Sequence, residues 1–306
     1  MKKFKGILLA LAAFLVVGVF LLPGLISAQT QTKGIQISPV TYNFEIKPGD
    51  SQIANVTVTN LNDDILNYVC EVENFSAVSE EGAPSFAGAD LKEGVTSLAN
   101  WITFDTNKEG VIQNKKSVDV SFTIAVPVGA EPGGHYAAVF AKQIKKTPEG
   151  KTEIGVTSRV GTLILVSVPG ATSKTAEITD FNSPRFVWQG PVDFSMKVKN
   201  TGTVHYDSVA KVKIDPLIGN NTEVELDKHT IIPNNTRSYE GTWNKKYPFN
   251  YYKITAEATD GNGNPVTTTA VMWAIPLIIV IPVLLGIALL ILIIVWIRKK
   301  FRIVAK

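Results

Sequence analysis

Three histidines, one cysteine and a scatter of carboxylates are the residues with which this chain could do chemistry. His135, His205 and His229 form no pair at metal-ligand spacing, and no HExxH occurs. There is no GxSxG elbow and no glycine-rich phosphate cradle between a strand and a helix. Glu80-Glu81 reads as a solvated loop. Asp260-Gly261-Asn262-Gly263-Asn264 has the oxygen density of a calcium loop, but reads first as a hairpin turn. Cys70 is single, so no intrachain disulfide can form. It reads as a small buried core residue, with an interchain bridge or a reactive thiol as alternatives. The chemistry expected is therefore non-enzymatic, with no cofactor and no metal.

The most distinctive stretch is Ile124 to Ile144, IAVPVGAEPGGHYAAVFAKQI. A strand ends at Val126-Pro127, Glu131 to Gly134 turn the chain, and a new strand starts at His135. Two readings stay open. Either this is a structural corner on which His135 and Tyr136 pack, or Pro132, Gly133, Gly134, His135 and Tyr136 form a ligand-facing edge.

The elements that must position these residues are strands. Helical periodicity is nearly absent from Gly34 to Val271, and short β-branched and aromatic runs recur between Gly, Pro, Asn and Asp. Candidate strands cover Ile35–Ile46, Gln52–Asn60, Leu66–Phe75, Ile102–Asp105, Ser117–Val126, His135–Ile144 and Thr152–Val168. After a break at Pro169-Gly170 a second set covers Ala176–Trp188, Val192–Asn200, Ser208–Ile214, Glu223–His229, Ser238–Trp243, Tyr251–Thr259 and Val266–Met272. Glu80 to Gly94 reads as an exposed loop, and Ser97 to Trp101 as a short helical turn. Asn55 to Asn60 and Met196 to Asn200 echo one another: each is an alternating strand closed by Asn and a turn. The expected fold class is all-β, two tandem immunoglobulin-like β-sandwich domains (34–170 and 171–272) plus a C-terminal transmembrane helix.

The ends of the chain set its topology. MKKFK, an apolar run and Ser27-Ala28 have the layout of a signal peptide over 1–28, or of an uncleaved N-terminal anchor. Residues 274–297 hold no charge and are long enough to cross a bilayer. The basic tail 298–306 places the cytoplasm after them. Removing the basic residues of both ends leaves 22 basic against 27 acidic residues outside, a net charge of −5. No basic patch with interleaved aromatics appears, so nucleic acid is not an expected partner. The last strand runs into the helix with almost no stalk, which predicts a second domain resting on the membrane.

Several stretches resemble one family. VTVTN (56–60), WITF (101–104), PGGHYAAVF (132–140) and SRVGTLILV (158–166) are similar to the first domain of the WxL-interacting surface proteins. That resemblance implies a Gram-positive envelope protein with two immunoglobulin-like domains, a membrane helix and a basic tail. It further implies peptidoglycan binding by the first domain and a WxL-bearing partner on the second. No WxL motif and no LPxTG-like sorting signal occur here. The expected function is a non-catalytic, single-pass cell-membrane protein whose extracytoplasmic region binds cell-wall glycan or another envelope protein. The alternatives are a membrane-tethered, chaperone-like assembly factor that accepts a client strand at a sheet edge, and an accessory subunit of a membrane complex.

Overall fold

Alternation of β-branched and polar residues makes the first set of strands half-buried ribbons, and such ribbons must pair face to face. The computed structural model describes residues 33–86, 97–145 and 155–300. Its first strands are β1 (Ile35–Ser38), β2 (Thr41–Glu45), β3 (Ser51–Asn60), β4 (Leu66–Asn74), β5 (Ala77–Val78) and β6 (Pro84–Ser85). A one-turn helix α1 (Leu98–Trp101) follows, then β7 (Ile102–Phe104), β8 (Glu109–Ile112), β9 (Ser117–Ala125), β10 (Gly133–Lys145) and β11 (Gly155–Val168). One sheet has the order β1-β3-β9-β7 and the facing sheet β2-β11-β10-β4-β8. Val56, Val58, Val120, Phe122 and Ile124 from the first sheet pack against Cys70, Val139, Ile164 and Val166 from the second.

The segment expected as one strand, Ile35–Ile46, is two strands in opposite sheets. Pro39 lacks the N–H a continuous ladder needs, and the chain crosses there. β1 pairs antiparallel with β3, whereas β2 runs parallel to β11. The edge strand β8 escaped the sequence reading, because Glu109-Gly110 breaks its alternation. Thr152 to Ile154 of the last expected strand lie outside the described residues.

Cys70 is fully buried in this core, and burial pushes its thiol up to about 12. It should stay unmodified by a thiol-reactive dye at pH 8 in the folded protein and react only after denaturant is added. Fast labelling without denaturant would show that this core is open.

The second set comprises β12 (Ala176–Asn182), β13 (Phe186–Val187), β14 (Val192–Asn200), β15 (Tyr206–Ser208), β16 (Ala210–Pro216), β17 (Thr222–Glu225), β18 (His229–Ile231), β19 (Thr236–Trp243), β20 (Asn250–Thr259) and β21 (Pro265–Ala274). The sheets β12-β14-β19 and β13-β21-β20-β16-β17 close on a separate core of Phe194, Met196, Val198, Ile214, Tyr239, Ile254 and Met272. The fold is thus all-β, two immunoglobulin-like sandwiches followed by a C-terminal helix, α2 (Leu277–Lys300).

The span expected from Ala274 starts three residues later. Ala274 is still buried in the sheet opposite Asn250, and the N–H of Ile275 bonds the carbonyl of Val187. Pro276 then supplies the first helical acceptor, for Val280. Leu277–Lys299 is long and apolar enough to cross a membrane. The expected signal segment and the last six residues of the tail lie outside the described residues.

The repeat heard in the sequence is a repeated hydrogen-bond device. Asn200 is fully buried at the end of β14. Its amide donates to the carbonyls of Val204 (2.9 Å) and Ile231 (2.8 Å), and its Oδ1 accepts from the N–H of Gly202 (2.8 Å). Asn60, fully buried at the end of β3, donates to Asp64 O (2.7 Å) and Ile112 O (3.1 Å) and accepts from Asn62 N–H (2.9 Å). In both copies one side chain closes its own turn and ties it to a strand far along the chain.

Candidate functional site

The Pro132–Tyr136 turn lies where the two sandwiches meet. Gly133 holds φ +139, a left-handed value that favours glycine, and a Cβ there would stand 3.2 Å from the Thr203 carbonyl. The N–H of Gly134 bonds that same carbonyl at 2.9 Å. Pro132 remains exposed at its end of the turn and packs beneath Gly170. The half-buried imidazole of His135 lies 4.6 Å from the Trp101 ring, and its Nε2 is 2.9 Å from the Glu131 carbonyl. Tyr136 faces the other way, into the joint.

That joint is polar at its centre. His205, 5 % exposed, comes from the turn after β14. Its Nε2 lies 2.7 Å from Oδ1 of Asn43 on β2, and its Nδ1 lies 3.3 Å from the Tyr136 hydroxyl. Asn43 Oδ1 can only accept, so Nε2 carries the proton and Nδ1 accepts from Tyr136. Burial lowers the pKa of the imidazole to about 4, and it is this that keeps the ring neutral and leaves Nδ1 free to accept. Burial likewise raises the Tyr136 phenol above its usual value. Beside this pair Phe75, Leu165 and Ile232 close an apolar contact, with Phe86, Tyr136 and Leu163 packed on it.

The β5–β6 hairpin adds a second bridge. Glu80, expected to be solvated, is still 42 % exposed, yet it is also bound. Its carboxylate lies 2.8 Å from Lys197 Nζ, and its carbonyl accepts the N–H of Ser238 at 3.0 Å. The cause is tertiary: the hairpin reaches β14 and β19 of the other sandwich. Glu81 stays exposed.

Away from the joint, β11 offers an unmatched edge. β10 ladders it from Gly155 to Val168, but β2 pairs only with Leu163 to Ser167. Gly155 to Gly161 therefore have no partner on the outer edge among the described residues. Along this edge Arg159 is exposed. It pairs with Glu73 at 3.0 Å and lies 4.4 Å over the Phe140 ring. Gly161 leaves room for that ring, since a Cβ there would stand 2.7 Å from it.

Among the described residues no group of three or more His, Cys, Asp and Glu could hold a metal ion. The Asp260 carboxylate is occupied by its own turn, accepting the N–H groups of Asn262 and Asn264 at 2.8 Å each.

No protein-family model matches the chain, and no curated protein matches it. Solved structures with a similar course of chain include a chain from a chaperone–tip adhesin complex of CFA/I fimbriae biogenesis. It is 14 % identical, with a TM-score of 0.39, 78 % of this chain and 98 % of that one covered. The E. coli chaperone DraB is 15 % identical, with a TM-score of 0.35 and coverage of 78 % and 98 %. A structure of Salmonella enterica SafA pilin with the SafB chaperone gives 8 % identity, a TM-score of 0.37 and coverage of 79 % and 98 %.

Proposed function

We propose that this chain is a non-catalytic, membrane-tethered envelope protein that captures another envelope protein by strand addition at β11. The observation that carries this reading is the outer edge of Gly155 to Gly161, laddered on one side and unmatched on the other among the described residues. An open edge is a template for an extended segment: backbone hydrogen bonds supply affinity, and alternate side chains supply selectivity. Arg159 lies on this strand, its guanidinium turned inward over the Phe140 ring of β10 toward Glu73 of β4.

The tether is α2. Arg298, Lys299 and Lys300 close it, and positive residues stay on the cytoplasmic side. Both sandwiches then lie outside the cytoplasm in the cell membrane, held by one span. Cell-wall glycan, the ligand implied by the resemblance to WxL-interacting proteins, would have to use the Pro132–Tyr136 turn, where Gly134 and Tyr136 are already engaged by Thr203 and His205.

A photo-crosslinking amino acid placed at Arg159, in cells making the full chain, tests the edge. The expected result is one discrete adduct whose captured peptide is an extended segment, and none from the same probe at exposed Lys228. Equal adducts from both positions would sink strand addition. Sedimentation of the wild-type chain with insoluble peptidoglycan, with no adduct at Arg159, would replace it with glycan binding.

A further inference from the structure

Three loops of the second sandwich converge where the chain enters α2. The N–H of Trp273 bonds Arg185 O, and the N–H of Ile275 bonds Val187 O, which places the β13 loop beside the helix start. Asn250 stands opposite Ala274, and its amide holds the Ile218 carbonyl at 2.8 Å. The N–H of Leu217 bonds Tyr251 O, and the N–H of Gly190 bonds Lys246 O. The β16–β17 turn and the β19–β20 loop are thus fastened to the same end.

The tips of these loops are apolar and bare. Ile218 is 79 % exposed, Leu217 74 %, Phe249 67 % and Trp188 57 %. Scattered single apolar residues need no explanation, but four on adjoining loops form a patch. Basic residues surround them. Lys245 lies 5.5 Å over the Trp243 ring and Lys246 lies 5.2 Å over the Tyr247 ring, with Arg185 on the β13 loop. Two acidic residues stand on the strands leading into these loops, Asp215 opposite Lys253 and Asp193 opposite Thr242. This end is positive on an outer region whose net charge is −5.

We infer that this end is a lipid-binding face: Trp188, Leu217, Ile218 and Phe249 enter the interfacial zone of the bilayer, while Arg185, Lys245 and Lys246 meet anionic headgroups. The inference rests on reading α2 as the span. Continuity supports the choice of occupant. β21 ends at Ala274 and α2 starts at Leu277, so the loops cannot stand far from the surface into which the helix goes. Apolar and aromatic tips flanked by Lys and Arg suit the headgroup level. The face would hold the sandwiches at a fixed tilt instead of letting them pivot on Ile275-Pro276.

The test uses the full chain reconstituted in phosphatidylcholine vesicles containing phosphatidylglycerol. A polarity-sensitive dye sits on a cysteine at Ile218 (I218C), or at Lys228 (K228C) near the opposite end. Doxyl-labelled lipid should remove about half or more of the Ile218 dye emission and leave the Lys228 dye unquenched. Lys245→Glu with Lys246→Glu should reduce the Ile218 quenching, most in vesicles rich in phosphatidylglycerol. Failure of the chain to float with carbonate-washed vesicles would overturn the span itself. Flotation with an unquenched Ile218 dye would keep the span and overturn the lipid-binding face.

Discussion

Replacing Asn200 with Ala should cost the second sandwich about 3–5 kcal/mol, a fall of roughly 14–24 °C in Tm. The reasoning is one of counting partners. The fully buried amide serves the carbonyls of Val204 and Ile231 and the N–H of Gly202. Truncation leaves three backbone groups without partners where water cannot replace it, at about 1–3 kcal/mol each before relaxation. Asn200→Asp should be worse despite its matching shape. The carboxylate keeps the bond from Gly202 but turns a negative oxygen toward two carbonyl oxygens inside a core. Urea unfolding of the chain in detergent gives the ranking: wild type, then Asn200→Ala, then Asn200→Asp, with exposed Glu225→Ala within about 0.5 kcal/mol of wild type. An Asn200→Asp variant as stable as wild type would show that this amide is not the tie between β14 and β18. The same substitution at Asn60 should act on the first core by the same logic.

What could be read from the sequence and what could not divides along locality. β14 was legible to its last residue, Val192 to Asn200, because alternation and a closing Asn-Thr-Gly turn are local signals. The echo between Asn60 and Asn200 was visible as a pattern. Its meaning was not, since the second carbonyl each amide reaches lies on a strand 52 or 31 residues away. Glu80 read as part of a solvated loop and does stay partly exposed, but two acidic residues before a glycine could not announce that the hairpin docks on Lys197 and Ser238. The Pro132–Tyr136 turn stood out by composition, yet what it touches is decided by Thr203 and His205. His205 and Asn43 are 162 residues apart, and no spacing rule connects them. The apolar tips Trp188, Leu217, Ile218 and Phe249 belong to three loops that only the sheet order gathers at one end. Periodicity reports which face of a strand is buried, but not which strands, or which sandwiches, will meet.

The joint between the sandwiches should weaken in mild acid, with His205 as the cause. Its pKa is about 4 in the folded chain, below the ordinary value near 6.5, because burial disfavours the imidazolium. Asp207 pulls the other way, and Lys174 reinforces the depression. Between these two pKa values the unfolded chain binds a proton that the folded chain refuses. The contribution is therefore complete above about pH 6.5, falls as pH drops, and is gone below about pH 4, a loss of about 3 kcal/mol. His205→Gln cannot titrate but keeps an amide that can donate to Asn43. Relative to this variant, the wild type should lose about 3 kcal/mol more stability between pH 7 and pH 4. His229, whose pKa burial also lowers, leaves a residual slope common to both proteins. Coincident stability curves for wild type and His205→Gln from pH 7 to pH 4 would place a charged or solvated imidazole at the joint. The bonds that orient Asn43 and Tyr136 on the first sandwich toward the second would then not exist as described. A wild-type curve that falls more steeply than the variant's in this window ties the relative placement of the sandwiches to one neutral ring. It also implies that the edge at β11 and the loop tips at the membrane end are held at a set distance only above that pH.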